Sequence, residues 1–170
     1  MRLAVLADTH VPRRARDLPP RAWRVVEAAD AVLHAGDVVE PALLDELRRR
    51  GGRVWAVLGN NDGALRGVLP ERLELDLDGV TVAMVHDSGP AQGRRARLRR
   101  WFPAARVVVF GHSHVPVLED DGDLLLLNPG SPTDRRRMPS FTVAVLHLEA
   151  GHPRAELVDL GQERATSTTR

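Results

Sequence analysis

Apolar positions along this chain gather in short unbroken runs, each closed by a polar turn, and only a few stretches carry helical spacing. Arg2–Ala7 is the first run and reads as a strand buried on both faces that opens into Asp8-Thr9-His10. A loop rich in proline and arginine, Val11–Pro20, follows. Pro20 starts a helix through Ala29, with Trp23, Val25 and Val26 on its apolar side. Ala31–Ala35 is a second buried strand, ending at Gly36-Asp37. Pro41 opens a second helix striped by Leu43, Leu44 and Leu47. Arg48, Arg49 and Arg50 in its last turn suit the negative end of the helix dipole, and Gly51-Gly52 stops it. Arg53–Leu58 is a third strand, ending at Gly59-Asn60-Asn61-Asp62.

The second half changes rhythm. Gly63–Pro70 reads as a loop, and Leu73, Leu75 and Leu77 alternate with acids as in a half-exposed strand. Asp78-Gly79 turns the chain into Thr81–Val85, a strand that runs up to His86. Ala91–Phe102 is a basic helix, and Arg106–Phe110 is a buried strand leading to Gly111-His112-Ser113-His114. Two hairpins close the chain: Val115–Leu118 with Leu124–Leu127 about Asp121-Gly122, and Phe141–Leu148 with Arg154–Leu160 about Gly151. Strand–helix alternation followed by hairpins predicts an α/β protein with mixed sheets covered by helices.

At 170 residues and 43% hydrophobic content the chain suits one domain over residues 1–160, with a polar tail over 161–170. The longest early apolar run, Leu3–Ala7, is too short for a membrane span or a signal-peptide core, so a cytoplasmic protein without membrane contact is expected. There is no cysteine, which excludes disulfides, thiolate metal sites and cysteine nucleophiles. Any metal must sit on oxygen and imidazole. All 24 basic side chains are arginine, which excludes lysine Schiff-base chemistry. The net charge of +1 carries no bulk signal for nucleic acid.

The chemistry lies in a recurrence. Five buried strands end in ligand-type residues: Asp8 and His10, Asp37, Asn60, His86, and then His112 and His114. Taken singly, each is an ordinary turn or cap. In open α/β sheets, however, the carboxyl ends of strands line the ligand crevice, so five such ends bring seven oxygen or nitrogen ligands together.

With these stretches, and with Asn128-Pro129-Gly130-Ser131, the chain resembles the calcineurin-like metallophosphoesterase superfamily. Within it the likeness is to the small bacterial and archaeal phosphodiesterase branch, which is related to the scaffolding subunit of the retromer coat. The resemblance runs from the first strand to about Leu148. It implies a four-layer α/β/β/α sandwich of two mixed β-sheets flanked by helices. It also implies a centre of two divalent transition metals, Mn²⁺ first, with Fe²⁺, Ni²⁺ or Zn²⁺ as alternatives. Asp8, His10 and His114 hold one ion in that scheme, Asn60, His86 and His112 hold the other, and Asp37 bridges them. The implied activity is hydrolysis of a small phosphodiester by a metal-bridging hydroxide attacking phosphorus in line.

Two positions depart from the pattern. Many members carry histidine after the metal-binding asparagine as proton donor to the leaving group, whereas this chain has Asn61, a candidate substrate-binding and catalytic residue that is no acid. Asp62 beside it is expected to orient its neighbours. Asp87 replaces a common glycine after the histidine and is expected to face solvent. Slow turnover and a preference for aryl diesters follow.

Arg13, Arg14 and Arg16 follow the first motif, and Arg13 is a candidate phosphate clamp; Arg135, after the Asn-Pro-Gly-Ser segment, is a candidate to buttress that loop or meet substrate. His34 reads as a core histidine, and His147 and His152 as ordinary sheet and turn residues. Arg94, Arg95, Arg97, Arg99 and Arg100 read as a solvated helix face, which leaves nucleic acid disfavoured as a partner. A protein-interaction scaffold with a vestigial metal site and a metal-dependent nuclease stand as the alternative functions, and a homo-oligomer stays open. Substrate selection falls to the loops Val11–Pro20, Gly63–Pro70 and Thr133–Pro139.

Overall fold

The computed structural model describes residues 1–162. In chain order the elements are β1 (Arg2–Leu6), α1 (Pro20–Glu27), β2 (Ala31–His34), α2 (Pro41–Gly51) and β3 (Arg53–Ala56). There follow β4 (Arg72–Leu77), β5 (Val80–Val85), α3 (Arg94–Trp101), β6 (Val107–Val109), β7 (Val117–Asp120), β8 (Leu125–Asn128), β9 (Phe141–Glu149) and β10 (His152–Gly161). One sheet has the order β10-β9-β1-β2-β3 and the other β4-β5-β6-β8-β7. Both are mixed: β1, β2 and β3 are parallel, as are β5, β6 and β8, while hairpin partners add antiparallel strands at the edges.

Strand alternation builds the layers. Leu3, Val5, Leu33, Val82, Met84, Val107, Val109, Leu125 and Leu127 point between the sheets into one apolar cluster. Ala4, Leu6 and Val32 face the other way, against Trp23 and Val26 of α1 and Leu44 and Leu47 of α2. Ala83, Val108, Phe110 and Leu126 pack outward on Leu98 of α3 and on Phe102. Strands buried on both faces must be apolar at consecutive positions, which is why their runs are unbroken. The architecture is the expected four-layer sandwich.

Boundaries differ where local geometry intervenes. Gly63–Leu65, expected as loop, is a single 3₁₀ turn that buries Leu65. α3 starts three residues later than expected because Gly93 precedes it in a left-handed conformation. β7 begins at Val117 rather than Val115, since His114 has positive φ and the chain turns there. α1 stops at Glu27, and β10 runs from His152 to Gly161. The expected polar tail lies, beyond residue 162, outside the described residues.

The arginines of α3 are a correction. They are not simply a solvated face: Arg97 donates to the carbonyls of Ser88 and Pro90, Arg99 to those of Ala105 and Asp123, and Arg95 to that of Leu124. The fork geometry of guanidinium stitches the helix to neighbouring loops.

Candidate metal centre

The carboxyl ends of β1, β2, β3, β5 and β6 meet at one place. Asp8 N–H donates to Gly36 O, His10 N–H to Asp37 O, and Gly111 N–H to His86 O, so the strand-end turns are tied to one another. Asp8, His10, Asp37, His112 and His114 all have left-handed backbones, with φ of 53, 46, 59, 68 and 60°. Non-glycine residues rarely take this conformation, and strain of this kind gathers at functional sites.

Asp8 is fully buried, and neither of its carboxylate oxygens has a hydrogen-bond partner among the described residues. Its Oδ1 instead faces three imidazole nitrogens: His114 Nε2 at 3.5 Å, and His10 Nε2 and His86 Nε2 at 4.0 Å. Asp37 Oδ2 lies 3.6 Å from His10 Nε2 and 3.5 Å from His86 Nε2, between the two histidine groups. His10 Nε2 and His114 Nε2 point at each other across 3.2 Å. Asn60 Oδ1 is 3.0 Å from His86 Nε2 and 2.9 Å from His112 Nδ1. Two overlapping groups could each hold an ion: Asp8, His10 and His114, and Asp8, Asp37 and His86.

The donor set fits metal. His114 Nδ1 gives its proton to Asp134 O at 2.5 Å, and His86 Nδ1 gives its proton to Ala35 O at 2.7 Å. Carbonyl acceptors of this kind fix the tautomer and leave each Nε2 with a bare lone pair aimed inward. Lone pairs of imidazole, amide oxygen and carboxylate facing one another repel unless a cation lies among them. Unpartnered buried carboxylate oxygens call for the same compensation.

The titration behaviour follows from this crowding. Burial pushes Asp8 up to about 7, against the pull of His86. Burial also holds His10 below its ordinary value, drops His114 to about 4 and drops the fully buried His34 to about 3. Burial acts upward on Asp37 too, yet in the metal-free chain the hydrogen bond and charge of a protonated His86 and the N–H groups of Asn61 outweigh it and leave Asp37 far below the usual carboxylate range. His86 is raised, because Asp37 and Asp8 overcome its desolvation.

Supporting residues lock the turns. Asp62 accepts the backbone N–H groups of Asp37, Val39 and Gly59 at 2.9, 2.7 and 2.7 Å. Gly59 admits no side chain, since a Cβ there meets Asp37 N at 2.2 Å. The Asn-Pro-Gly-Ser segment clamps two ligand turns: Asn128 Nδ2 donates to Gly111 O at 3.0 Å, and Ser131 Oγ to Asp8 O at 2.7 Å. Thr133 Oγ1 adds a bond to Thr9 O at 2.5 Å.

The structure thus brings Asp8, His10, Asp37, Asn60, His86, His112 and His114 together. The expected partition gives Asp8 to one ion, whereas the distances set it beside imidazoles of both groups. Asn61 adjoins the site but turns its amide onto Asp37 rather than into open space. Arg135 donates to Met138 O at 2.5 Å and braces its own loop, and Arg13 is exposed on the loop after His10. His34 is a core histidine, hydrogen-bonded through Nε2 to Thr9 Oγ1 at 3.0 Å. Asp87 is exposed and accepts the Gly89 N–H. His147 is half-buried in β9 near Glu156, and His152 is exposed at the start of β10. Asp134 is a supporting residue that the sequence does not flag: its role runs through a backbone carbonyl, which leaves no mark in side-chain type.

Comparison with known proteins agrees with this geometry. Residues 1–151 match the calcineurin-like phosphoesterase superfamily domain, and the chain belongs to that family. It is 31% identical over 163 residues to a probable metallophosphoesterase of Methanothermobacter thermautotrophicus, covering 95% of this chain and 94% of that one. It is 23% identical over 147 residues to the phosphodiesterase MJ0936 of Methanocaldococcus jannaschii, covering 76% and 83%. Vps29 of Entamoeba histolytica, solved in complex with Zn²⁺, superposes with a TM-score of 0.75 over 94% of this chain and 99% of its own at 22% identity, a likeness of fold.

Proposed function

We propose that this chain is a two-metal-dependent phosphodiesterase, carried by residues 1–160 as one unit and working in the cytoplasm on a small diester. The observation that carries the reading is Asp8: a buried carboxylate with neither oxygen in a close hydrogen bond among the described residues, surrounded by inward-facing imidazoles. Asp8, His10 and His114 would hold one ion and Asn60, His86 and His112 the other, with Asp37 placed between the two groups. Carboxylate, amide and imidazole donors without thiolate suit Mn²⁺, with Fe²⁺, Ni²⁺ and Zn²⁺ as alternatives. Bound there, a pair of divalent cations supplies a hydroxide nucleophile at neutral pH and neutralises charge on the phosphoryl oxygens.

The chain's own residues do the rest. Asp37 is ionised throughout the working range: in the metal-free chain the charge of His86 and the N–H groups of Asn61 hold it so, and with His86 neutral as a ligand the Asn61 donors and a bound cation would do the same. His86 and His114 keep fixed tautomers through Ala35 O and Asp134 O. Asn61, bonded to Asp37, offers no acid for the leaving group. Good leaving groups, such as aryl oxides, need none, so aryl diesters are the preferred test substrates. The convergence of seven ligand side chains supports an enzyme over a scaffold.

The test is hydrolysis of bis(p-nitrophenyl) phosphate with Mn²⁺, Ni²⁺, Mg²⁺, Zn²⁺ or chelator, for wild type and Asp37→Ala. Turnover that requires metal and Asp37 is expected; equal rates with chelator or in the variant contradict the reading.

A further inference from the structure

A cavity of about 820 Å³ opens directly beside Asn60, His86 and His112. Its walls are of two kinds. Leu58, Leu69 and Val85 contribute apolar lining, and Arg66 and Arg72 line the same space. Both arginines are exposed, and neither forms an ion pair with a carboxylate among the described residues, so their charge is available to a ligand.

Each of the two is set in place by local structure. Arg66 follows the 3₁₀ turn that buries Leu65, and its backbone bridges Leu69, so the loop folds on itself at the cavity edge. Leu58 N–H donates to Pro70 O at 2.8 Å and anchors the far end of that loop to the strand leading to Asn60. Arg72 lies over the ring of Trp101, 4.3 Å from its centroid, which fixes its plane without consuming its N–H donors. Two acids, Glu71 and Asp87, also border the cavity; Asp87 accepts the N–H of Gly89 at 2.7 Å, and neither acid forms an ion pair with Arg66 or Arg72 among the described residues.

We propose that this cavity is a subsite for the organic part of the substrate, and that Arg66, with Arg72, binds a second anionic group carried there. The preferred substrate is then a diester with an apolar or planar body and an additional phosphate or carboxylate, rather than a dialkyl or diaryl phosphate whose only charge is on the reacting diester. Guanidinium forks match the planar or tetrahedral oxygens of either anion in two parallel hydrogen bonds. The subsite rests on the phosphodiesterase reading for its catalytic consequence, but not for its binding.

Two measurements test it. The first is calorimetric titration of thymidine 5′-monophosphate and thymidine 3′,5′-bisphosphate into wild type, Arg66→Ala and Arg66→Lys. The bisphosphate is expected to bind about tenfold tighter in wild type, with the advantage lost in Arg66→Ala and partly kept in Arg66→Lys. The second is the KM for p-nitrophenyl esters of thymidine 5′-phosphate bearing a 3′ hydroxyl, phosphate or carboxymethyl group. The ratio of KM between the hydroxyl and the anionic substrates is expected to be about ten in wild type and to fall to about one in Arg66→Ala. The phosphate and carboxymethyl arms distinguish the two anions. Equal affinity for both nucleotides in wild type, or an unchanged ratio in Arg66→Ala, overturns the subsite. A bisphosphate preference in a chain inactive on every diester overturns the phosphodiesterase reading and leaves the subsite standing.

Discussion

Asn61 gives two donors to the one carboxylate of Asp37: its backbone N–H to Oδ1 at 2.8 Å and its side-chain amide to Oδ2 at 2.6 Å. Asn61, which supplies no acid, therefore acts on the carboxylate that lies between the two histidine groups. Asn61→Ala is expected to weaken Mn²⁺ binding by about 10–100-fold, the usual cost of removing a hydrogen bond to a ligand. Isothermal titration with Mn²⁺ checks this; unchanged affinity shows that the pair is incidental.

The same pairing shapes the rate. With no acid at Asn61, turnover is expected to fall steeply as the leaving alcohol becomes more basic. General acid catalysis is typically worth about 10²–10⁴-fold, so alkyl esters should lag aryl diesters by at least that margin. Rates for a series of p-substituted phenyl methyl phosphates, with ethyl phosphomonoester as the extreme, measure the dependence. Rapid hydrolysis of the alkyl monoester contradicts it.

Asp8 links function to stability. Its pKa in the folded chain is raised from the ordinary 3.8 to about 7 by burial, so the metal-free fold prefers it protonated. Stability from this group is full below pH 3.8 and is lost as pH rises towards about 7. The loss is on the order of 4 kcal/mol at pH 8. Asp8→Asn should therefore unfold at higher urea than wild type in chelator, with a gap that widens from pH 4 to 7 and then stays level. It should also fail to bind Mn²⁺. A gap that shrinks as pH rises means that burial does not hold Asp8 in its protonated form.

His34 gives the opposite slope. Burial depresses it to about 3, so the folded chain keeps it neutral while the unfolded chain protonates below pH 6.5. Its contribution is present above pH 6.5 and is lost as pH falls towards about 3, by about 1.4 kcal/mol per pH unit. Urea unfolding of His34→Gln should show a shallower loss than wild type between pH 6 and 4.5. Parallel curves contradict this.

Asp62 joins two ligand turns through three backbone donors. Asp62→Ala strands those buried N–H groups, and each bond to a charged acceptor is worth about 1.5–3 kcal/mol. A loss of several kcal/mol in urea unfolding, with loss of Mn²⁺ binding, is expected; a variant as stable as wild type contradicts the role.

Much of the fold and of the ligand set is legible in the sequence for a physical reason. Strands buried on both faces, such as Leu3–Ala7 and Arg106–Phe110, leave unbroken apolar runs, and the polar residues that end them are conspicuous by contrast. What stays hidden depends on geometry rather than residue type. The left-handed backbones of Asp8, His10, Asp37, His112 and His114 leave no pattern in the chain, and the turn at His114 is what displaces β7. Asp62 is expected from the sequence to orient its neighbours, but only the structure shows that it does so through backbone N–H groups of both turns, and Asp134 holds His114 through its own backbone carbonyl. The arginines of α3 look solvated by spacing, and only tertiary contact reveals the carbonyls they hold.

The most direct measurement is anomalous diffraction from crystals of the protein grown with Mn²⁺. Two peaks about 3.5–4 Å apart, flanked by Asp37 and enclosed by the histidines and Asn60, are the expected result. A single peak, or ions bound away from Asp8 and Asp37, contradicts the two-metal centre.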